Sequence, residues 1–121
     1  MKINYQNFEL ISREELLQEV EIYYKTRGYQ VERIPDIGSG ADLIATSLGV
    51  EKVAIRVCYG GFASISTVHG VSSAKIYYRC DRAEIICTGY FNKDAELLAK
   101  IIDVKLINRD ELEESNITRD S

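Results

Sequence analysis

Tryptophan is absent from this chain of 121 residues, and proline, histidine and methionine occur once each. With one proline, almost every segment keeps its backbone donors and is free to enter helix or sheet. The lone histidine, His69, has no His or Cys at a ligand spacing, which argues against a metal centre built on imidazole. Cys58, Cys80 and Cys87 are odd in number and contain no CxxC pair. Neither a disulfide framework nor a four-ligand zinc site is expected, and the three read as reduced, mostly buried thiols. No run approaches 18 apolar residues, and the first 20 lack the apolar segment of a secretion signal. The expectation is a cytoplasmic protein with no membrane partner. Positive charge is also short. Fifteen Lys and Arg stand against 19 Asp and Glu, a net charge of −4. That is the wrong sign for a protein that simply coats nucleic acid. The deficit is uneven, however: residues 1–21 carry five acids against two bases and 103–121 six against three, while 22–102 carry ten bases against eight acids.

What is present is an ordinary folded composition, 45% hydrophobic and 28% charged, which excludes disordered and low-complexity classes. The length suits one domain: a single unit over 1–121, with its core at about 12–112 and a short acidic tail at 113–121. Ser12 and Glu15 form a capping box, so a helix is expected to start there. Leu16, Leu17, Val20, Tyr23 and Tyr24 share its apolar face and Gly28 ends it. Strands are expected at 29–34, 41–48 and 52–58, with Pro35 and the turn Asp36-Ile37-Gly38-Ser39-Gly40 between the first two and Gly49 between the last two. In the third strand Val53, Ile55 and Val57 should face a covering helix, while Lys52, Ala54, Arg56 and Cys58 should face a more polar place. After the break at Gly60-Gly61 come a helix over 64–79, weakened by Gly70, and an apolar strand at 83–88. Asn92 then caps a further helix, and a last strand at 104–108 precedes the acidic run DELEE. The order is α-β-β-β-α-β-α-β, an α/β sandwich with a mixed sheet and helices on both faces.

Functional chemistry gathers at Gly38-Ser39-Gly40-Ala41-Asp42, a glycine turn that delivers an acid to a strand, and at the next hairpin strand, where Arg56 and Cys58 share a face. The blocks GYQVERI, GSGADLIA, KVAIRVCYG, AEIICTGYFNKDA and LINRDEL run in that order from about Leu16 to Leu112. Together they resemble the Mrr-type restriction endonuclease domain, a branch of the PD-(D/E)XK nuclease superfamily. The resemblance implies a restriction-endonuclease-like three-layer sandwich and Mg²⁺-dependent cleavage of double-stranded DNA, often by a homodimer. In the family pattern the acid after the glycine turn binds the metal, and the next strand carries an acid or glutamine with a lysine two residues beyond it. Carboxylate oxygens hold the hard cation, the cation activates water, and the lysine adds a fixed positive charge.

Asp42 matches the first position and is the one metal ligand the pattern offers here. Arg56 stands in the place of the glutamine or acid, and Cys58 in the place of the lysine. A guanidinium cannot ligate a cation and keeps its charge, so Arg56 is expected to pair with Asp42. A neutral thiol supplies no cation. Leu17 falls where the family's first helix often carries a glutamate, with Glu15, Gln18 and Glu19 close by. The site therefore reads as a degenerate one on a nuclease scaffold, in a DNA-associated protein of restriction or defence, with Mg²⁺ as cofactor if the site is active and none otherwise. Two other readings stand beside it: a weakly active Mg²⁺-dependent endonuclease that uses Asp42, and a non-enzymatic protein–protein or regulatory module. Lys75, Arg79 and Arg82, with Lys25, Arg27 and Arg33, are candidates for a phosphate-facing patch. Any target-recognition unit is expected to come from a partner protein.

Overall fold

Ser12 opens the first helix in the way its spacing predicts. In a computed structural model, which describes residues 10–35, 37–59 and 62–113, α1 (Arg13–Lys25) begins with a reciprocal cap. The Ser12 hydroxyl accepts from the Glu15 N–H, and the Glu15 carboxylate accepts from the Ser12 N–H. Leu16, Leu17, Val20 and Tyr24 form its buried stripe, whereas Tyr23 stays half-buried. The expected break at residues 60–61, Asp36, and the acidic tail beyond residue 113 lie outside the described residues.

The chain then forms the meander β1 (Gln30–Arg33), β2 (Leu43–Ser47) and β3 (Glu51–Cys58), each pair antiparallel. Gly49, at φ +78°, makes the tight turn between the last two. Two crossovers follow. Helix α2 (Ile65–Tyr77) carries the chain to β5 (Arg82–Cys87), and α3 (Lys93–Ile101), capped by Asn92, carries it to β7 (Val104–Ile107). Both later strands join in parallel, giving a mixed five-stranded sheet of order β1-β2-β3-β5-β7. The predicted order of elements is therefore present. Two additions carry no sequence period long enough to read: β4 (Phe62–Ala63) and β6 (Tyr90–Phe91) pair in parallel as a separate small sheet.

One face of the sheet packs on α1 through Leu43, Ala45, Val53, Ile55, Val57 and Ile86, as the alternation in β3 predicts. The other face corrects an expectation. It is not polar: Ala54, with Ala83, Ile85 and Cys87, is buried beneath Val68, Val71 and Ala74 of α2 and Ala95 and Ala99 of α3. Small side chains on the sheet and both helices allow this close approach, and β3 departs from apolar burial on this face at its two ends, at Lys52, which bonds the Tyr78 carbonyl, and at Arg56 and Cys58. The acidic run after β7 is also more ordered than its charge suggests. Residues 109–113 are helical, Asn108 and Glu111 exchange cap hydrogen bonds, and Leu112 is fully buried against the α1 side of the core. One leucine with an Asn-x-x-Glu cap is enough to anchor that turn. Among the described residues no helix is long and apolar enough to cross a membrane.

Candidate functional site

Gly38 and Gly40 both adopt positive φ, +77° and +93°, so the turn before β2 uses a backbone conformation that L side chains resist. Gly40 has a second constraint. A Cβ at that position would lie 2.1 Å from the carbonyl oxygen of Gly70 in α2. A Cβ at Gly70 would make an ordinary 3.6 Å contact with the Gly40 Cα, so it is the bare Cα of Gly40 that lets the turn press against the backbone of α2. This contact fixes where Asp42 enters the sheet.

The Asp42 N–H donates to the Ile55 carbonyl at 2.8 Å, and extending the β2–β3 register by one residue sets Asp42 opposite Arg56. The carboxylate is engaged on both oxygens. Oδ2 accepts from the Val57 N–H at 2.7 Å. Oδ1 accepts from the guanidinium of Arg13, and an Arg56 nitrogen lies 3.6 Å from the same oxygen. The expected pairing of Asp42 with Arg56 is present, yet the tight contact is made by Arg13. That residue escaped sequence reasoning because it occupies the first position of α1, outside the helix's apolar stripe, and nothing local links it to a residue 29 positions later. Only the docking of α1 on the sheet brings the two together.

Cys58 shares the Arg56 face of β3 and is half-buried. Burial, with a smaller contribution from neighbouring Cys87, pushes its thiol up to about 11, so it is neutral at physiological pH. Near the expected glutamate position Leu17 is core, Glu15 caps the helix, Gln18 donates to Glu14 at 3.5 Å, and Glu19 is half-buried. Among the described residues no three His, Cys, Asp or Glu side chains stand together as a cation would require. A divalent ion of the magnesium class needs several oxygen ligands, and this donor set offers one carboxylate already held by two guanidiniums and a backbone amide. The residues present do not fit the metal that the nuclease pattern implies.

Beside Asp42 a cavity of about 220 Å³ opens between the glycine turn and the start of α2, lined by Gly38, Gly40, Arg56, Ser66, Thr67 and Gly70. No acid lines it. The basic residues singled out for a patch are dispersed instead. Lys75 lies in the last turn of α2 and Arg79 just beyond it, at φ +57°. Arg82 turns to the α1 side of the sheet, where it bonds Glu51 at 2.9 Å and Glu84 at 2.8 Å. Tyr24 donates to the other oxygen of Glu84 at 2.8 Å, and Tyr29 donates to Glu51 at 2.7 Å. Burial opposes the charge of Arg82, but the hydrogen bonds to Glu51 and Glu84 outweigh it and hold the guanidinium above its ordinary range. Lys25 pairs with Glu21, Arg33 with Glu14 and Glu21, and Arg27 stacks on Tyr23 with 3.6 Å to the ring centre. Arg82 and this buried network carried no readable signal, because Glu84 sits inside an apolar run and its partners are distant in the chain.

A mixed sheet with an antiparallel β1–β3 meander, two parallel crossover strands, α1 on one face and α2 and α3 on the other, together with an acid delivered by a glycine turn, defines the restriction-endonuclease class of α/β folds. A family model described as restriction endonuclease, Mrr_cat, matches residues 8–115, and the chain belongs to that family. Its architecture is also similar to two solved structures. One is a crystal structure of a protein of unknown function, AF1548, with a TM-score of 0.64 at 14% identity, covering 82% of this chain and 59% of that one. The other is the DNA modification-dependent restriction endonuclease AspBHI, with a TM-score of 0.62 at 12% identity, covering 94% of this chain and 35% of that one. The chain therefore matches 59% and 35% of the lengths of these two structures, and at such identities they show the fold. No curated protein matches the chain.

Proposed function

We propose that this chain is a DNA-associated member of its nuclease family whose hydrolytic centre has become an ion-paired, cation-rich contact. The observation that supports this is the state of Asp42, whose Oδ1 faces Arg13 and Arg56 and whose Oδ2 is bonded to the Val57 amide. Phosphodiester hydrolysis of the family type needs a cation to activate water and to neutralise charge developing on phosphorus. Arg56 and Cys58 stand where a ligand and a lysine would serve those ends, and the Cys58 thiol is uncharged. Removing one electrostatic stabiliser of this kind typically lowers a rate by about 10² to 10³, and here two are replaced together. What remains suits binding: arginines that contact phosphate oxygens position a protein on a duplex without reading its sequence. The partner is double-stranded DNA, and the protein acts in the cytoplasm as part of a restriction or defence system.

The test is cleavage of duplex DNA by the purified chain with Mg²⁺ or Mn²⁺. No cleavage is expected, with Asp42→Ala making no difference, while the double replacement Arg56→Gln with Cys58→Lys restores metal-dependent cleavage. Robust cleavage by the unaltered chain that Asp42→Ala abolishes would overturn this reading.

A further inference from the structure

We propose that Cys58 and Cys87 form a reversible dithiol–disulfide pair that bridges the ends of β3 and β5 when a hydroperoxide is present. The strand register sets the two side by side. They are direct partners in the parallel pairing of these strands, and each is the last residue of its own strand. The Thr88 N–H donates to the Cys58 carbonyl at 3.1 Å, which holds the two ends in line. Paired residues of neighbouring strands project from the same face, and both cysteines belong to the layer under α2 and α3. Adjacent strands run ~4.8 Å apart, inside the range of about 4.4–6.8 Å between the Cα atoms of bridged cysteines. All three cysteines of the chain are free thiols. Cys80 cannot take either place. The six residues of β5, about 20 Å of strand, separate it from Cys87, and its neighbour Asp81 bonds the Lys52 carbonyl at the opposite end of β3 from Cys58.

Burial divides the roles. Cys58 is half-buried and Cys87 fully buried, so the oxidant meets Cys58 first. The Cys58 thiolate attacks the peroxide and breaks its O–O bond, which leaves a sulfenic acid on Cys58 and releases an alcohol, or water when the oxidant is hydrogen peroxide. The Cys87 thiolate then attacks the Cys58 sulfur and expels the sulfenic oxygen, which takes up a proton and departs as water. Two thiols lose two electrons and two protons in all, and one hydroperoxide becomes alcohol and water. Burial, with a smaller contribution from Cys87, holds the Cys58 thiol up at about 11 against the opposing positive charge of Arg56, so the reaction is slow at neutral pH and the resting form is the dithiol. Side chains of parallel neighbours point the same way. Their Cβ atoms therefore stand near the strand spacing, about 1 Å beyond the ~3.8 Å of a relaxed bridge. A bridge closed against that strain is readily reduced, which makes the pair reversible. Its effect extends past the two sulfurs. The Gly89 N–H donates to the Cys87 Sγ at 3.3 Å, and the Gly89 carbonyl accepts from the Arg109 N–H at 3.0 Å. Recruiting that sulfur into a bridge moves the turn between β5 and β6 and ties down the end of β3 two residues beyond Arg56.

The test treats the full chain with hydrogen peroxide in metal-free buffer, blocks the remaining thiols with iodoacetamide, and maps tryptic peptides without reduction. The peptide 57–75 linked to 83–93 is expected, with Cys80 alkylated, and dithiothreitol should release the pair. The rate of linkage should rise about tenfold per pH unit between pH 7 and 9, following the thiolate fraction. Amide resonances of Gly89 and Tyr90 should shift on oxidation and return on reduction. Cys87→Ser should stop the reaction at a Cys58 sulfenic acid that dimedone traps, Cys58→Ser should leave Cys87 unoxidised, and Cys80→Ser should change nothing. A sulfenic acid that persists on Cys58 in the unaltered chain, a bridge that includes Cys80, or a bridge between two copies overturns the pair, because each shows that the two sulfurs do not meet. A rate that is flat with pH overturns Cys58 as the attacking thiolate. Linkage that forms only in urea, with the folded chain unreactive, overturns the site as a property of the fold.

Discussion

The two ends of β3 hold ion clusters built from the same residue types with opposite balance. At its start, Glu51 and Glu84 share Arg82, with Tyr24 and Tyr29 completing the hydrogen bonds. At its end, Arg13 and Arg56 share Asp42. Five residues, about 16 Å of strand at ~3.3 Å each, separate Glu51 from Arg56. The first cluster reaches into the core on the α1 side, where Glu84 is 1% exposed, and all four carboxylate oxygens of Glu51 and Glu84 find donors. The second borders a cavity and leaves a guanidinium only loosely held. A satisfied buried network serves the fold, because an unpaired charge there would be costly. An open cluster with unspent charge is under no such structural demand.

The comparison breaks first if the buried cluster proves dispensable. Arg82→Met strands Glu84 without its cation and should destabilise the chain by about 3 kcal/mol, read as a lower urea midpoint; a change under 1 kcal/mol would dissolve the distinction. Next in size is Gly40→Ala, which places a side chain at φ +93° against the Gly70 carbonyl. It should cost about 2 kcal/mol or more, read by the same denaturation. A pH series sharpens the contrast. Hydrogen bonds from Arg82 hold the Glu51 carboxyl below its ordinary 4.5. Its contribution is therefore complete above that value and lost as pH falls through the lower folded value. The urea midpoint of the unaltered chain should drop more steeply between pH 5 and about pH 3 than that of Arg82→Met. The smallest effect belongs to the open cluster. Asp42→Asn keeps an oxygen for the Val57 amide and should change stability by less than about 1 kcal/mol, measured by the same denaturation. A loss near that of Arg82→Met would make the second cluster structural too.

Local rules were enough wherever a segment's period or cap is self-contained. Ser12 with Glu15 marks the start of α1, Val53, Ile55 and Val57 mark one face of β3, and Asn92 marks the start of α3, because each signal lies within a turn or two of chain. The same rules misread the opposite face of β3. Alternation reports that Ala54 differs from its neighbours but not that α2 and α3 cover it. They also passed over Leu112, one apolar residue in an acidic run. That Arg56 and Cys58 share a face of β3 with Asp42 opposite Arg56 was legible because the positions are two apart or directly paired, which the pleat converts into a shared face. Arg13, the Gly40–Gly70 contact and the Arg82 network were not, because each joins elements whose docking no local pattern encodes.

The sequence by itself determined the order of elements, the glycine turn ahead of Asp42, and the placing of Arg56 and Cys58 on one face of β3. These follow from residue identity and short-range geometry. Tertiary structure alone decided which cation holds Asp42, that Arg82 is withdrawn into the core side of the sheet, and that a cavity lies between the turn and α2. Long-range packing sets those outcomes, since a charge acts through the partners and solvent around it, and those are chosen only when the helices close on the sheet.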